Sequence, residues 1–208
     1  MFKRLALPIL VSLVFIAPAQ AGVTLIASGA LNGTSDLSGL SGALENGVAA
    51  NVLGGMGSGL AWAGGNTFLA LPDRGPNASS YAGGGAIDNT TSYIDRFQTI
   101  TLNLTQSQSA GSFSYALSTA LNQTTLLYSP NALNYGSTVG LPSAVPVQNT
   151  AERNYFTGRS DNFAAGNSLA ANNARLDPEG IRVANDGKSV YVSDEYGPYV
   201  RQFDRASG

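Results

Sequence analysis

Gly180-Ile-Arg-Val-Ala184, an Asn185-Asp-Gly-Lys188 turn, Val190-Tyr-Val-Ser193 and then Glu195-Tyr-Gly197-Pro198 decide the fold. They repeat an earlier pattern: Gly59-Leu-Ala-Trp-Ala63, a Gly-Gly-Asn turn, Phe68-Leu-Ala-Leu71, then Asp73-Arg-Gly75-Pro76. Each copy reads as a strand, a tight turn, a second strand and a charged stretch running into Gly-Pro. The copies lie about 121 residues apart, roughly three times the 40–45 residues of a propeller blade. A β-sandwich shows no such self-similarity, so the expected fold is all-β, with propeller-like blades of antiparallel strands. Trp62, inside the first copy, is expected in a blade core.

Outside the repeat, strand-like alternation dominates. Ile100, Leu102 and Leu104 share one side of a strand, and Phe113, Tyr115 and Leu117 answer across Ser109-Ala110-Gly111, which predicts a hairpin. The stretches 131–150 and 160–174 carry no period and read as surface loops. The one helix-like segment, Ser35–Ala50, is interrupted by glycines. Charged residues make up 12% of the chain, against about 25% in ordinary globular domains. The few charges present therefore stand out.

The chain opens with the features of a signal peptide. Lys3 and Arg4 precede the apolar run Leu5–Ala17, and Ala19-Gln-Ala21 supplies small residues for cleavage. The run is shorter than the roughly 20 residues that span a bilayer. Residues 1–21 are thus expected to be removed, leaving a secreted or periplasmic domain over 22–208 with no membrane span. Loss of Lys3 and Arg4 takes the formal charge from −2 to −4, and such a chain has no basic field to attract nucleic acid.

Cysteine and histidine are both absent. Within this chain that excludes disulfide stapling, thiol nucleophiles, Ser-His-Asp hydrolysis and zinc sites built on histidine. The remaining tools are carboxylates, Arg, Lys, Tyr and hydroxyls, and a hydrolase made from them would use metal-activated water. The acids gather accordingly: Asp177 and Glu179 stand before one strand of the second copy, and Asp194 and Glu195 follow it. Calcium takes about 6–8 oxygen ligands, so carboxylates at both ends of a strand suit a hard cation. In extended backbone, side chains two apart share a side, so Asp177 and Glu179 are able to face one ion. Asp194 and Glu195, being adjacent, diverge unless the following turn bends the chain. Asp186-Gly187 is a hairpin turn, and Asp204-Arg205 is a strand edge.

The stretch RLDPEGIRVANDGKSVYVSDEYGPYVRQFDRASG, Arg175–Gly208, resembles the signature of the phytase-like domain family, exported bacterial proteins described as having esterase-like activity of phytase. FLALPDRGPN, Phe68–Asn77, resembles the family's other hallmark, and RSDNF, Arg159–Phe163, is a third match in the same order. The family is similar in form to the calcium-dependent β-propeller phytases, which also carry an aromatic-Asp-Arg strand like Phe203-Asp204-Arg205. Members of the family continue beyond this point, and about 187 residues suffice for only some four blades. The resemblance therefore implies an incomplete propeller, the N-terminal portion of a longer domain, monomeric when complete.

The resemblance also implies a site. Asp177 and Glu179 are the leading calcium ligands, Glu195 and Asp194 follow, and Asp73 is their counterpart in the first copy. Arg74 would contact a phosphate, and Glu179 and Glu195 would serve catalysis beside it. A small phosphorylated substrate such as phytate is implied, attacked by calcium-activated water. The alternative is a non-enzymatic propeller that binds a partner and uses calcium to stay rigid; Asp73-Arg74 then fastens neighbouring blades.

Overall fold

The computed structural model describes residues 22–31, 33–77, 90–136, 145–159 and 170–208. The expected signal peptide and most of the RSDNF match lie outside them. The described residues contain strands and turns and no helix. β1 (Met56–Trp62), β2 (Thr67–Pro72), β3 (Arg96–Ser109) and β4 (Ser112–Leu126) form one antiparallel meander in that order. β5 (Tyr128–Ser129) pairs with β6 (Asn154–Tyr155). β7 (Pro178–Val183), β8 (Ser189–Asp194) and β9 (Tyr199–Asp204) form a second antiparallel sheet. The sheets are open, in keeping with propeller-like blades that do not close a ring.

Both copies of the repeat are hairpins built alike. β1 and β2 slip register just before Gly59, which then opposes Leu71. β7 and β8 slip just before Gly180, which opposes Ser193. The Asn185–Lys188 turn closes through Ala184 N–H to Ser189 O and through Asp186, whose carboxylate accepts the Lys188 N–H. The long β3–β4 hairpin turns through Ala110 and Gly111, both with positive φ (48° and 80°). This is the two-residue turn whose twist matches antiparallel strands.

The sheets meet through one core of Ala61, Leu69, Leu71 and Phe97 against Ile181, Val190, Val192 and Phe203, with Leu127, Phe156 and Leu176 sealing it. The buried faces are opposite in the two copies. Ala61 is buried while its counterpart Arg182 is exposed, and exposed Leu60 corresponds to buried Ile181. Stacking of like hairpins face to back requires this, since one presents its front where the other presents its back. Gly59 allows the contact: a Cβ there would lie 2.9 Å from Ile181 N and 3.3 Å from Gly180 Cα.

The same parity corrects an expectation. Trp62 lies on the outer face of β1, 66% exposed, with its indole N–H donated to Gly65 O at 2.8 Å. It is not a core residue, because Ala61 takes the inward position beside it. Nor is Ser35–Ala50 helical. Gly39, Gly42 and Gly47 adopt positive φ, and bridges Ser35–Val52 and Ala43–Ala49 fold the segment into turns. The stretches read as loops have anchored ends: Tyr135 is buried with its hydroxyl on Tyr155 O, and Asn134 bridges Asn173.

Gly59→Val should lower stability by about 1–3 kcal/mol, the usual cost of forcing volume into a packed contact. Gly57→Ala, whose Cβ would meet open space, should change it by a few tenths at most. Urea midpoints of the two variants check this, and equal midpoints would refute the stacking of β1 on β7.

Candidate metal centre

The site lies where β2 ends and β7 begins. Packing of β1 and β2 against β7 brings Asp73, just past β2, beside Asp177 and Glu179 at the start of β7. One carboxylate oxygen from each lies within 4.8 Å of the others. Asp177 is buried, whereas Asp73 and Glu179 are exposed, so the group opens to solvent above a buried base. Pro178 fits as the first strand residue, where no N–H is required.

Arg74 ties the two copies together. Its NH1 donates to Asp177 Oδ2 at 3.1 Å and its NH2 to Asn77 Oδ1 at 3.4 Å. It pairs across the seam rather than with its neighbour Asp73, which instead accepts the Arg74 N–H at 2.6 Å. Asp177 Oδ1 is buried without any hydrogen-bond partner. A buried carboxylate oxygen without a partner, in a residue grouped with two further acids, calls for an explanation such as a cation ligand.

Asp194 and Glu195 diverge. Asp194 turns inward, where its Oδ1 accepts the N–H groups of Asp177 and Tyr196, both at 3.1 Å, and its Oδ2 faces Arg201 at 3.4 Å. It fixes the backbone that carries Asp177. Glu195 is exposed and lies close enough to Glu179 that, after burial, its carboxyl raises that of Glu179. Asp194 and Glu195 thus stand outside the group of three, one beneath it and one beside it.

The two copies of the repeat meet here, and Gly158, just before the third match, packs against them. The Tyr196 hydroxyl donates to Gly158 O at 2.8 Å. A Cβ on Gly158 would fall 1.9 Å from Arg74 O, so only glycine permits Arg74 to run this close. Arg159, first residue of the RSDNF match, is buried and faces Glu45 at 3.9 Å.

Asp95 was missed from the sequence. It precedes β3, is fully buried, and neither of its oxygens has a hydrogen-bond partner. Burial raises its carboxyl well above the usual range, and the charges of Asp194, Asp177 and Asp73 raise it further. One signal existed: Asp-Arg occurs at 73–74, 95–96 and 204–205, and only the first and last were weighed.

A family model described as phytase-like, esterase-like activity of phytase, matches residues 51–208. The chain belongs to this family. No curated protein and no solved structure matches it. Among the described residues, no helix is long and apolar enough to cross a membrane.

Burial first, and then the neighbouring Asp73 carboxyl, push Asp177 up to about 7 from 3.8 despite Arg74. The folded chain therefore holds a proton that the unfolded chain releases near 3.8. Stability of the cation-free protein should fall as pH rises across that window. Denaturation in EDTA at several pH values checks it: Asp177→Asn should flatten the slope, and an unchanged slope counts against the shift.

Proposed function

We propose that this phytase-like protein hydrolyses phosphoric esters, phytate or a similar phosphorylated polyol, with calcium held by Asp73, Asp177 and Glu179. The observation that carries the reading is the unpartnered Asp177 Oδ1 beneath two exposed carboxylates within 4.8 Å. All these donors are oxygens, and a chain without histidine or cysteine has no softer ligand of those types to offer, which fits a hard cation. Calcium, when bound, supplies positive charge for phosphate oxygens and lowers the pKa of a bound water.

The remaining work falls to side chains. Glu179 and Glu195, neighbours whose carboxyls act on one another, form a pair at the solvent edge that takes the proton of an attacking water. The raised Glu179 carboxyl moves toward the range where a general base works at neutral pH. Arg74, with a quarter of its side chain exposed, borders the same opening and offers a fork that matches two phosphate oxygens. Tyr196 braces the wall through Gly158. A carboxylic ester suits this equipment less, because its usual hydrolases activate the nucleophile with histidine. The protein would act outside the cytoplasm, on a small substrate, as a secreted or periplasmic monomer.

One observation favours the non-enzymatic alternative. The Arg74–Asp177 pair joins the two copies of the repeat, so an ion there would stiffen the seam whether or not chemistry followed.

Phosphate release from phytate should require millimolar calcium and stop in EDTA. Glu179→Gln should slow turnover by on the order of 100-fold while leaving the calcium-loaded melting curve in place. Parallel loss of stability and turnover would instead mark a structural ion. No phosphate release from phytate or simple phosphomonoesters, with calcium present, removes the hydrolase.

A further inference from the structure

We propose that Asp95 and the buried oxygen of Asp177, with Asp194 adding its charge, hold a second divalent cation beneath the surface group. Asp95 is sealed in place. Its N–H donates to Phe156 O at 3.1 Å, its carbonyl accepts the Leu127 N–H at 2.8 Å, and its side chain has no exposure. The adjacent Arg96 guanidinium is bonded to Asp36, Ile94 O and Ala50 O and covers the Tyr93 ring; its charge offsets part of the repulsion on Asp95, but its NH2 has no partner and makes no hydrogen bond to the Asp95 carboxyl.

Both Asp95 oxygens and Asp177 Oδ1 lack hydrogen-bond partners, and the Ile94–Thr157 and Thr157–Arg175 bridges run the backbone before Asp95 and before Asp177 along the two sides of one segment. Leaving such groups unsatisfied costs about 1–3 kcal/mol each, more if charged. One proton does not relieve this fully, because a neutral Asp95 donating to Asp177 Oδ1 still leaves its other oxygen unpartnered. The acids also repel one another: Asp194, Asp177 and Asp73 all act on Asp95, while ion pairs with Arg74 and Arg201 engage only Asp177 and Asp194. A cation ligated by Asp95 and Asp177 satisfies the orphaned oxygens and offsets the repulsion together. Asp177 Oδ1 would then serve both groups of ligands, while Oδ2 stays joined to Arg74. Water or backbone carbonyls complete the oxygen shell a hard cation requires.

The site rests on the same cation-binding reading as the proposed function, so counting ions is kept apart from turnover. The full chain, stripped with EDTA and dialysed against calcium, should retain about two ions by atomic emission. Asp95→Asn and Asp73→Asn should each retain about one. Terbium in place of calcium should show two luminescence lifetimes, the longer one nearly unchanged in heavy water because a buried ion holds few waters. The lifetimes need no variant, so they decide the matter even if Asp95→Asn fails to fold. One ion per wild-type chain, a single solvent-sensitive lifetime, or a folded Asp95→Asn that keeps the wild-type count overturns the buried site. Two ions without phosphate release keeps it and removes the hydrolase; calcium-dependent release with one ion does the reverse.

Discussion

Packing of β1 and β2 on β7, made possible where Gly59 lacks a Cβ opposite Ile181, sets the position of the acidic groups. Without that approach Asp73 and Asp177, over a hundred residues apart in sequence, would not share a surface. The core of Leu69, Leu71, Ile181, Val190 and Val192 supplies the driving force, since apolar area removed from water is the main favourable term in folding. Arg74 then closes the seam from above. The charged contact is thus a consequence of apolar stacking rather than its cause.

That geometry has an electrostatic cost. Asp95, Asp177 and Asp194 are buried and all have raised carboxyls, the signature of desolvated groups held near like charges. Asp194 is the best satisfied, with two backbone N–H groups and Arg201. Asp95 is the least. Strain of this kind collects at functional sites, where binding relieves it. The satisfaction is graded: the carboxylate with the most partners, Asp194, holds the backbone, whereas Asp95 and Asp177 keep unpartnered oxygens, which is what the proposed cation sites draw on.

Membership of the phytase-like family and the oxygen-only donor set bear on the proposed chemistry by different routes. The family match covers the repeat and the whole acidic region. The site independently lacks the histidine that ordinary ester hydrolysis uses. Two exposed carboxylates over a buried one, bordered by Arg74, make a surface suited to an anionic substrate only once cations offset its charge. This couples any phosphate chemistry here to metal.

Much of this was legible in the residues themselves. Alternation and Gly-Asn-Asp turns fixed the strands, because both depend on local backbone geometry. The 121-residue repeat pointed to stacked blades, and the i, i+2 spacing of Asp177 and Glu179 placed them on one side. The absence of histidine and cysteine limited the donors to oxygen. What the sequence left open was parity. A period of two says that neighbours face opposite ways, but not which set faces the core. Tertiary stacking chose Ala61 over Trp62 and Ile181 over Arg182, and opposite faces in the two copies follow from stacking like hairpins face to back. It also buried Asp95, whose environment is built by Phe156, Leu127, Asp177 and Asp194 from distant parts of the chain. Burial and neighbouring charge are long-range properties, and only the folded chain supplies them.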